Sequence, residues 1–73
     1  MISIQLSKER ALVLFELLSR FTNEENLNIE DQAEERVLWD ILSDLESILT
    51  EPFDPDYKKL LETARSNIRD ELV

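Results

Sequence analysis

The chain has 73 residues, of which 17 are acidic and 8 are basic, so its formal net charge at pH 7 is −9. A charge of this sign repels nucleic-acid phosphates and anionic membrane surfaces over about one Debye length, roughly 8–10 Å, which argues against binding to either. The chain has neither histidine nor cysteine, so it lacks the usual general base, thiol nucleophile and soft metal ligands. We therefore expect no catalytic residue, no metal site, no cofactor and no enzyme activity.

Hydrophobic residues make up 42% of the chain and recur periodically, which is typical of a folded protein rather than a disordered one. A chain of this length has room for one hydrophobic core, so we predict a single domain over residues 1–73. The first residues, MISIQL, are too short and too polar for a secretory signal, and nowhere do about 18 apolar residues follow one another. These features predict a soluble, cytoplasmic protein.

Residues 2–6 alternate between apolar and polar side chains, which is the period-two pattern of a half-buried strand. The sequence has no second alternating run to pair with it, and a single strand leaves its backbone N–H and C=O groups unsatisfied. The segment is predicted to be either an extended arm that lies over the helices or a strand that pairs with another molecule. Both alternatives make Ile2, Ile4 and Leu6 candidate interface residues.

A first helix is predicted over residues 8–22, with Ser7 as its N-cap. At about 100° per residue its apolar side chains cover an arc of roughly 200°, about twice what an ordinary surface helix needs. Such a helix must be covered on two sides, either by two other helices of its own chain or by one of them and a second subunit. The apolar side chains are Ala11, Val13, Leu14, Phe15, Leu17, Leu18 and Phe21.

A second helix is predicted over residues 29–50, with Asn28 as its N-cap and with carboxylates in its first turn. The polar segment that precedes it, residues 22–28, is predicted to be a loop. The apolar arc of this helix spans roughly 140°, which is wide enough to face two neighbours. It consists of Val37, Leu38, Ile41, Leu42, Leu45, Ile48 and Leu49.

Pro52 disfavours helical geometry at Glu51, so a short connection should follow the second helix. Asp54 as N-cap and Pro55 at the first helical position predict a third helix over residues 55–71. Its apolar face is narrower, about 120°, and should pack on one side only. The predicted fold is all-α, a small three-helix bundle preceded by a short N-terminal strand or arm. The apolar face of the third helix contains Tyr57, Leu60, Leu61, Ala64, Ile68 and Leu72.

Acidic residues cluster at the start of the second helix and recur along its polar side. Carboxylate oxygens suit Ca²⁺ and Mg²⁺, but the spacing does not match an EF-hand loop, which also needs a central glycine. Asp40 and Asp44 are spaced i, i+4, yet they lie opposite the apolar arc, without the desolvated cleft that a catalytic carboxylate pair needs. A docking surface for a basic protein partner is the better interpretation. Its candidate residues are Glu30, Asp31, Glu34, Glu35, Asp40 and Asp44.

Trp39, the one tryptophan of the chain, falls outside the apolar arc of the second helix. One interpretation is that its ring folds over the margin of that arc and contacts the loop or the N-terminal arm. The alternative is that it anchors an interface, because tryptophan is enriched among the residues that dominate binding energies.

Two segments, DQAEERVLWD at residues 31–40 and EPFDPDY at residues 51–57, resemble an uncharacterised family of short acidic bacterial proteins. The likeness continues through Leu60, Leu61, Ala64 and Arg65 and covers roughly residues 6–70. The resemblance implies a bacterial origin and assigns no activity, substrate or functional residue.

Two classes of function fit this sequence. The first is a non-enzymatic protein–protein interaction or accessory module that forms a homodimer, with the N-terminal segments of two copies paired antiparallel and the wide first helix covered by the partner. The second is an acidic inhibitor of the antitoxin, immunity or nucleic-acid-mimic kind, whose carboxylates would cover a basic active site. The first interpretation is favoured because the second depends on charge alone.

Overall fold

The computed structural model of this chain describes the backbone of residues 1–24 and 28–71 and the side chains of residues 1–21 and 28–70. Within those residues the chain forms three α-helices, α1 (Lys8–Glu24), α2 (Gln32–Ile48) and α3 (Tyr57–Glu71), and one 3₁₀ turn at Glu51–Phe53. The prediction of an all-α fold is therefore confirmed, and no strand occurs in this part of the chain.

Helix α1 lies between the other two helices and packs against both, whereas α2 and α3 make few close approaches to each other. The 3₁₀ turn packs against α3. Of the two ways to cover α1, the structure shows the first, in which both covering helices belong to the same chain. The core formed in this way contains Ala11, Leu12, Leu18, Phe21, Leu42, Leu45, Leu49, Leu61 and Ala64.

Helix α1 begins where the sequence predicts it. Ser7 Oγ accepts a hydrogen bond from Arg10 N–H at 3.2 Å, and the Ser7 carbonyl accepts one from Ala11 N–H at 2.9 Å. The helix continues to Glu24, two residues beyond the predicted end, because residues 22–24 contain no proline or glycine that would stop it. The rest of the predicted loop includes residues 25–27, which lie outside the described residues.

The predicted start of α2 is wrong by three residues. The helix begins at Gln32 and its N-cap is Asp31, whose side chain accepts a hydrogen bond from Ala33 N–H at 2.8 Å. Glu34 reaches back and accepts a hydrogen bond from Glu30 N–H at 2.9 Å. This pair of side-chain caps, a variant of the capping box, satisfies two backbone donors before the first helical bond and so fixes the start of the helix.

The end of α2 and the start of α3 also differ from the prediction. Helix α2 ends at Ile48, because Leu49 adopts an extended backbone (φ −82°, ψ 133°) while its side chain stays in the core. Helix α3 begins at Tyr57 rather than at residue 55. Asp54 caps the turn that precedes it, since its side chain accepts from Asp56 N–H and its carbonyl accepts from Tyr57 N–H. The first α-type bond runs from Leu60 N–H to the Asp56 carbonyl.

Residues 1–7 have no regular secondary structure. The side chains of Ile2 and Ile4 are 91% and 80% exposed, and Leu6 is exposed as well. An arm folded over the helices would bury these side chains, so the first alternative for this segment is not what the structure shows. Pairing with a second molecule stays a prediction.

Candidate interaction surfaces

The apolar arc of α2 is divided into a covered half and an exposed half. Leu42, Leu45 and Leu49 are buried against α1, and Leu38 is partly buried beside them. Val37, Ile41 and Ile48 belong to the same arc but are exposed. The division arises because the arc is wide enough for two neighbours, whereas α2 packs mainly against one.

The exposed half is part of a continuous surface, which we call the α2 outer face. At about 100° per residue its side chains fall within an arc of about 120° along the whole helix. Every one of them is exposed, and Lys and Arg are absent from this arc of α2. The face combines four apolar side chains with three carboxylates: Ala33, Val37, Ile41, Ile48, Glu34, Asp40 and Asp44.

A shallow groove of about 550 Å³ lies at the N-terminal end of the α2 outer face. Its walls are formed by Asn28, Ile29 and Leu38 together with Ala33, Glu34 and Val37 of the outer face itself. The groove extends the apolar surface of α2 towards the residues that precede the helix.

The six acidic residues predicted to form one docking surface do not lie together. Glu34, Asp40 and Asp44 share the α2 outer face with exposed apolar side chains, whereas Glu35 is on the opposite side of the helix. Asp40 and Asp44 therefore lie opposite the buried half of the apolar arc and not, as predicted, opposite the whole of it. Asp31 and Glu34 both cap the start of α2, and Glu30 supplies a backbone donor to that cap. The clustering of acids at residues 30–35 therefore has a structural explanation in the helix start, since carboxylates there also meet the positive end of the helix dipole.

Trp39 is about half exposed. A recess beside its ring is lined by Gln32, Glu35 and Arg36, all from α2. Trp39 points away from the outer face by about 160° around the helix, so the two cannot form one binding surface. Its predicted contact with the preceding loop involves residues 25–27, which the structure does not describe.

Two polar contacts across the fold were not predicted from the sequence. Lys8 Nζ lies 2.9 Å from Glu51 Oε2 and joins the start of α1 to the 3₁₀ turn, and Asn67 Nδ2 of α3 donates a hydrogen bond to Glu9 Oε2. The hydrogen bond from Lys8 holds the pKa of Glu51 below its usual value. This contact therefore stabilises the fold above the ordinary carboxyl pKa and is lost as the pH falls through the lowered pKa.

A third contact joins α3 to α1 at Tyr57, whose hydroxyl donates a 2.9 Å hydrogen bond to Glu16 Oε2. Burial of the phenol, followed by the hydrogen bond and the negative charge of Glu16, raises the pKa of Tyr57 to about 12, although Arg65 opposes the shift. A raised tyrosine pKa means that the fold favours the neutral phenol. The stabilisation is complete below the unfolded pKa of about 10 and is lost as the pH rises towards the folded value.

We expect Tyr57, the one tyrosine of the chain, to ionise about two pH units later in the folded protein than in urea. Absorbance at 295 nm measures the ionisation, and circular dichroism of the same samples shows over which pH range the fold persists. Glu16→Gln should lower the pKa but leave it above 10, because burial is the larger cause. Ionisation near pH 10 in the folded protein would show that Tyr57 is neither buried nor hydrogen-bonded to Glu16 in solution.

Among the described residues, no group of three or more acids is arranged to hold a metal ion. In the same part of the chain, no helix is long and apolar enough to cross a membrane. Neither a protein-family model, nor a curated protein, nor a solved structure matches this chain. The candidate function therefore depends on the surfaces described above, and the resemblance to short acidic bacterial proteins stays a prediction.

Proposed function

We propose that this protein is a non-enzymatic protein–protein interaction module built on a small three-helix bundle. The observation that carries the proposal is the grouping of exposed apolar side chains on two surfaces, the α2 outer face and the N-terminal segment, residues 1–6. Grouped apolar surface of this kind marks interaction sites, whereas single exposed apolar residues need no explanation. We also propose a cytoplasmic setting, following the composition of the chain, and a bacterial origin, following the resemblance described above.

We further propose that the module forms a homodimer through its N-terminal segments. Antiparallel pairing of residues 2–6 with their copy would satisfy the backbone groups on the facing edge of each segment, and a two-fold axis would bring the exposed side chains of Ile2 and Ile4 together. Helix α1 packs against both other helices of its own chain and so gives no independent reason for a second subunit. The dimer hypothesis therefore depends on the N-terminal segment alone.

Light scattering on protein at tens of micromolar tests the dimer. We expect the intact chain to have twice the mass of one chain, and the variant that lacks residues 1–6 to be monomeric, with Ser7 retained as the cap of α1. Ile4→Pro should also give a monomer because proline removes one strand donor and disfavours the pairing, whereas Ile4→Val should preserve the dimer. A monomeric intact chain would end the dimer hypothesis, and a dimer in all variants would move the interface to another surface.

One observation favours the acidic inhibitor as the second candidate: Glu34, Asp40 and Asp44 lie on one exposed face of α2 with no basic residue in the same arc. Val37 and Ile41 lie among these carboxylates, however, and a mimic of nucleic acid would not need apolar side chains between its charges. A toxin or nuclease gene beside the gene for this chain would favour the inhibitor, and varied neighbours would favour the general module.

A further inference from the structure

We propose that the α2 outer face is the docking site for a cationic amphipathic helix of a partner protein. This inference rests on the proposed function as an interaction module and names the chemical class of its partner. It concerns a different surface from the N-terminal segment, so the two can be tested separately.

The apolar side chains of the outer face have the spacing that a helical partner requires. Val37, Ile41 and Ile48 recur along one side of α2, and Val37 and Ile48 are 55% and 73% exposed. From Ala33 to Ile48 the face is roughly 22 Å long at 1.5 Å per residue, which matches about four turns of a second helix. An amphipathic helix that lies along this face would bury its own apolar stripe in the same contact.

The charges of the outer face determine which helix fits. Glu34, Asp40 and Asp44 lie among or beside the apolar side chains, and no Lys or Arg of α2 shares their arc. Packed helices have axes about 8–10 Å apart, so flanking side chains meet within a Debye length. Lys or Arg on either side of the partner's apolar stripe would be complementary to the three carboxylates and would orient the helix and speed its association.

The same charges argue against other occupants. A second copy docked through the same face would bring two sets of three carboxylates together at short range, which costs free energy that a cationic helix would instead gain. Anionic membranes and nucleic acids are repelled for the same reason, and the net charge of −9 adds to this repulsion.

A synthetic probe peptide of about 18 residues tests the proposal, because it covers the length of the face. Its sequence places leucine on one helical side and lysine elsewhere, and it carries a fluorescent label for anisotropy measurements against the intact protein. A peptide with the same composition in scrambled order and one with glutamate in place of lysine are the controls. We expect binding of the first peptide, at least tenfold weaker binding of the scrambled peptide and none of the acidic one.

Variants of the protein locate the binding site. Val37→Ala with Ile48→Ala should weaken binding about tenfold, because the partner loses apolar contact area. Asp40→Asn with Asp44→Asn should weaken binding about fivefold at low salt and reduce its salt dependence. The matched controls are Phe53→Ala, which removes an exposed apolar side chain elsewhere, and Glu62→Gln with Asp70→Asn, which removes two exposed charges from α3. These controls should leave binding unchanged.

Circular dichroism of each variant verifies the fold. Light scattering of the same samples gives the oligomeric state, which separates the homodimer proposal from the docking-site proposal. Absence of binding at tens of micromolar, or equal binding by the outer-face variants and their controls, overturns the docking site. If the protein is a dimer but binds no cationic peptide, the proposed interaction module is supported and only the docking site on the α2 outer face is overturned. If the protein is a monomer and binds none of the peptides, both the homodimeric module and the docking site are overturned.

Discussion

We expect Leu18→Ala to lower the free energy of unfolding by about 2–5 kcal/mol, because the substitution deletes a large buried side chain and leaves a cavity behind. Leu18 is 2% exposed and lies in the core where α1 meets the other helices. A core of this size rarely supplies more than roughly 3–5 kcal/mol, so the variant should be close to the limit of folding at room temperature.

Leu17→Ala is the matched control, since it makes the same chemical change at the adjacent position of the same helix. Leu17 is 40% exposed, so the expected loss is less than about 1 kcal/mol. Urea denaturation followed by circular dichroism measures both variants, with the slope of the transition checked for constancy. Equal losses at the two positions would mean that α1 faces its neighbours differently in solution, or that a second subunit covers Leu17.

The position of Leu17 also shows what periodicity can predict for α1. The apolar arc correctly indicated a helix that must be covered on two sides, but it placed Leu17 inside the arc and left Leu12 out. In the structure Leu12 is buried and borders a recess shared with Thr50 and Leu60. The positions of the other two helices decide which edge of a wide apolar arc is covered. Those positions depend on residues far from α1 in the sequence, so the periodicity of α1 alone cannot predict them.

Competition between N-cap candidates explains why the start of α1 was predicted correctly and the start of α2 was not. Ser7 had no competitor, and it caps α1 as predicted. At α2, Asn28 and Asp31 are both favourable N-cap residues, and the prediction used Asn28. In the structure the N-cap is Asp31, because Glu34 three residues later completes the cap. A glutamate three positions after Asp31 was present in the sequence and could have identified the correct start, since the residue at that spacing after Asn28 is the shorter Asp31.

The candidate surfaces were predicted only in part. The sequence identified the apolar arc of α2 as wide enough to face two neighbours, but it could not show that only one half is covered, because periodicity gives the width of an arc and not the number of helices that cover it. It treated six acids as one surface, whereas capping and helix geometry separate them. The contact between Glu16 and Tyr57 joins residues 41 positions apart, a distance over which local patterns carry no information.

Helix α2 provides the second prediction, because Leu45 and Ile48 lie three residues apart and have opposite environments. Leu45 is 8% exposed in the core, and Ile48 is 73% exposed on the outer face. We expect Leu45→Ala to cost about 2–5 kcal/mol of unfolding free energy. Ile48→Ala should change it by no more than about 0.5 kcal/mol, since alanine also has the higher helix propensity.

Urea denaturation at two protein concentrations measures both variants of α2 and shows whether the outer face is free. If Ile48→Ala destabilises the protein as much as Leu45→Ala, and more so at the higher concentration, the outer face is buried between copies of the chain and is not available to a partner helix. If only Leu45→Ala destabilises it, the exposed half of α2 contributes nothing to folding. Its apolar side chains then require an explanation outside the folded chain, and a binding partner provides one.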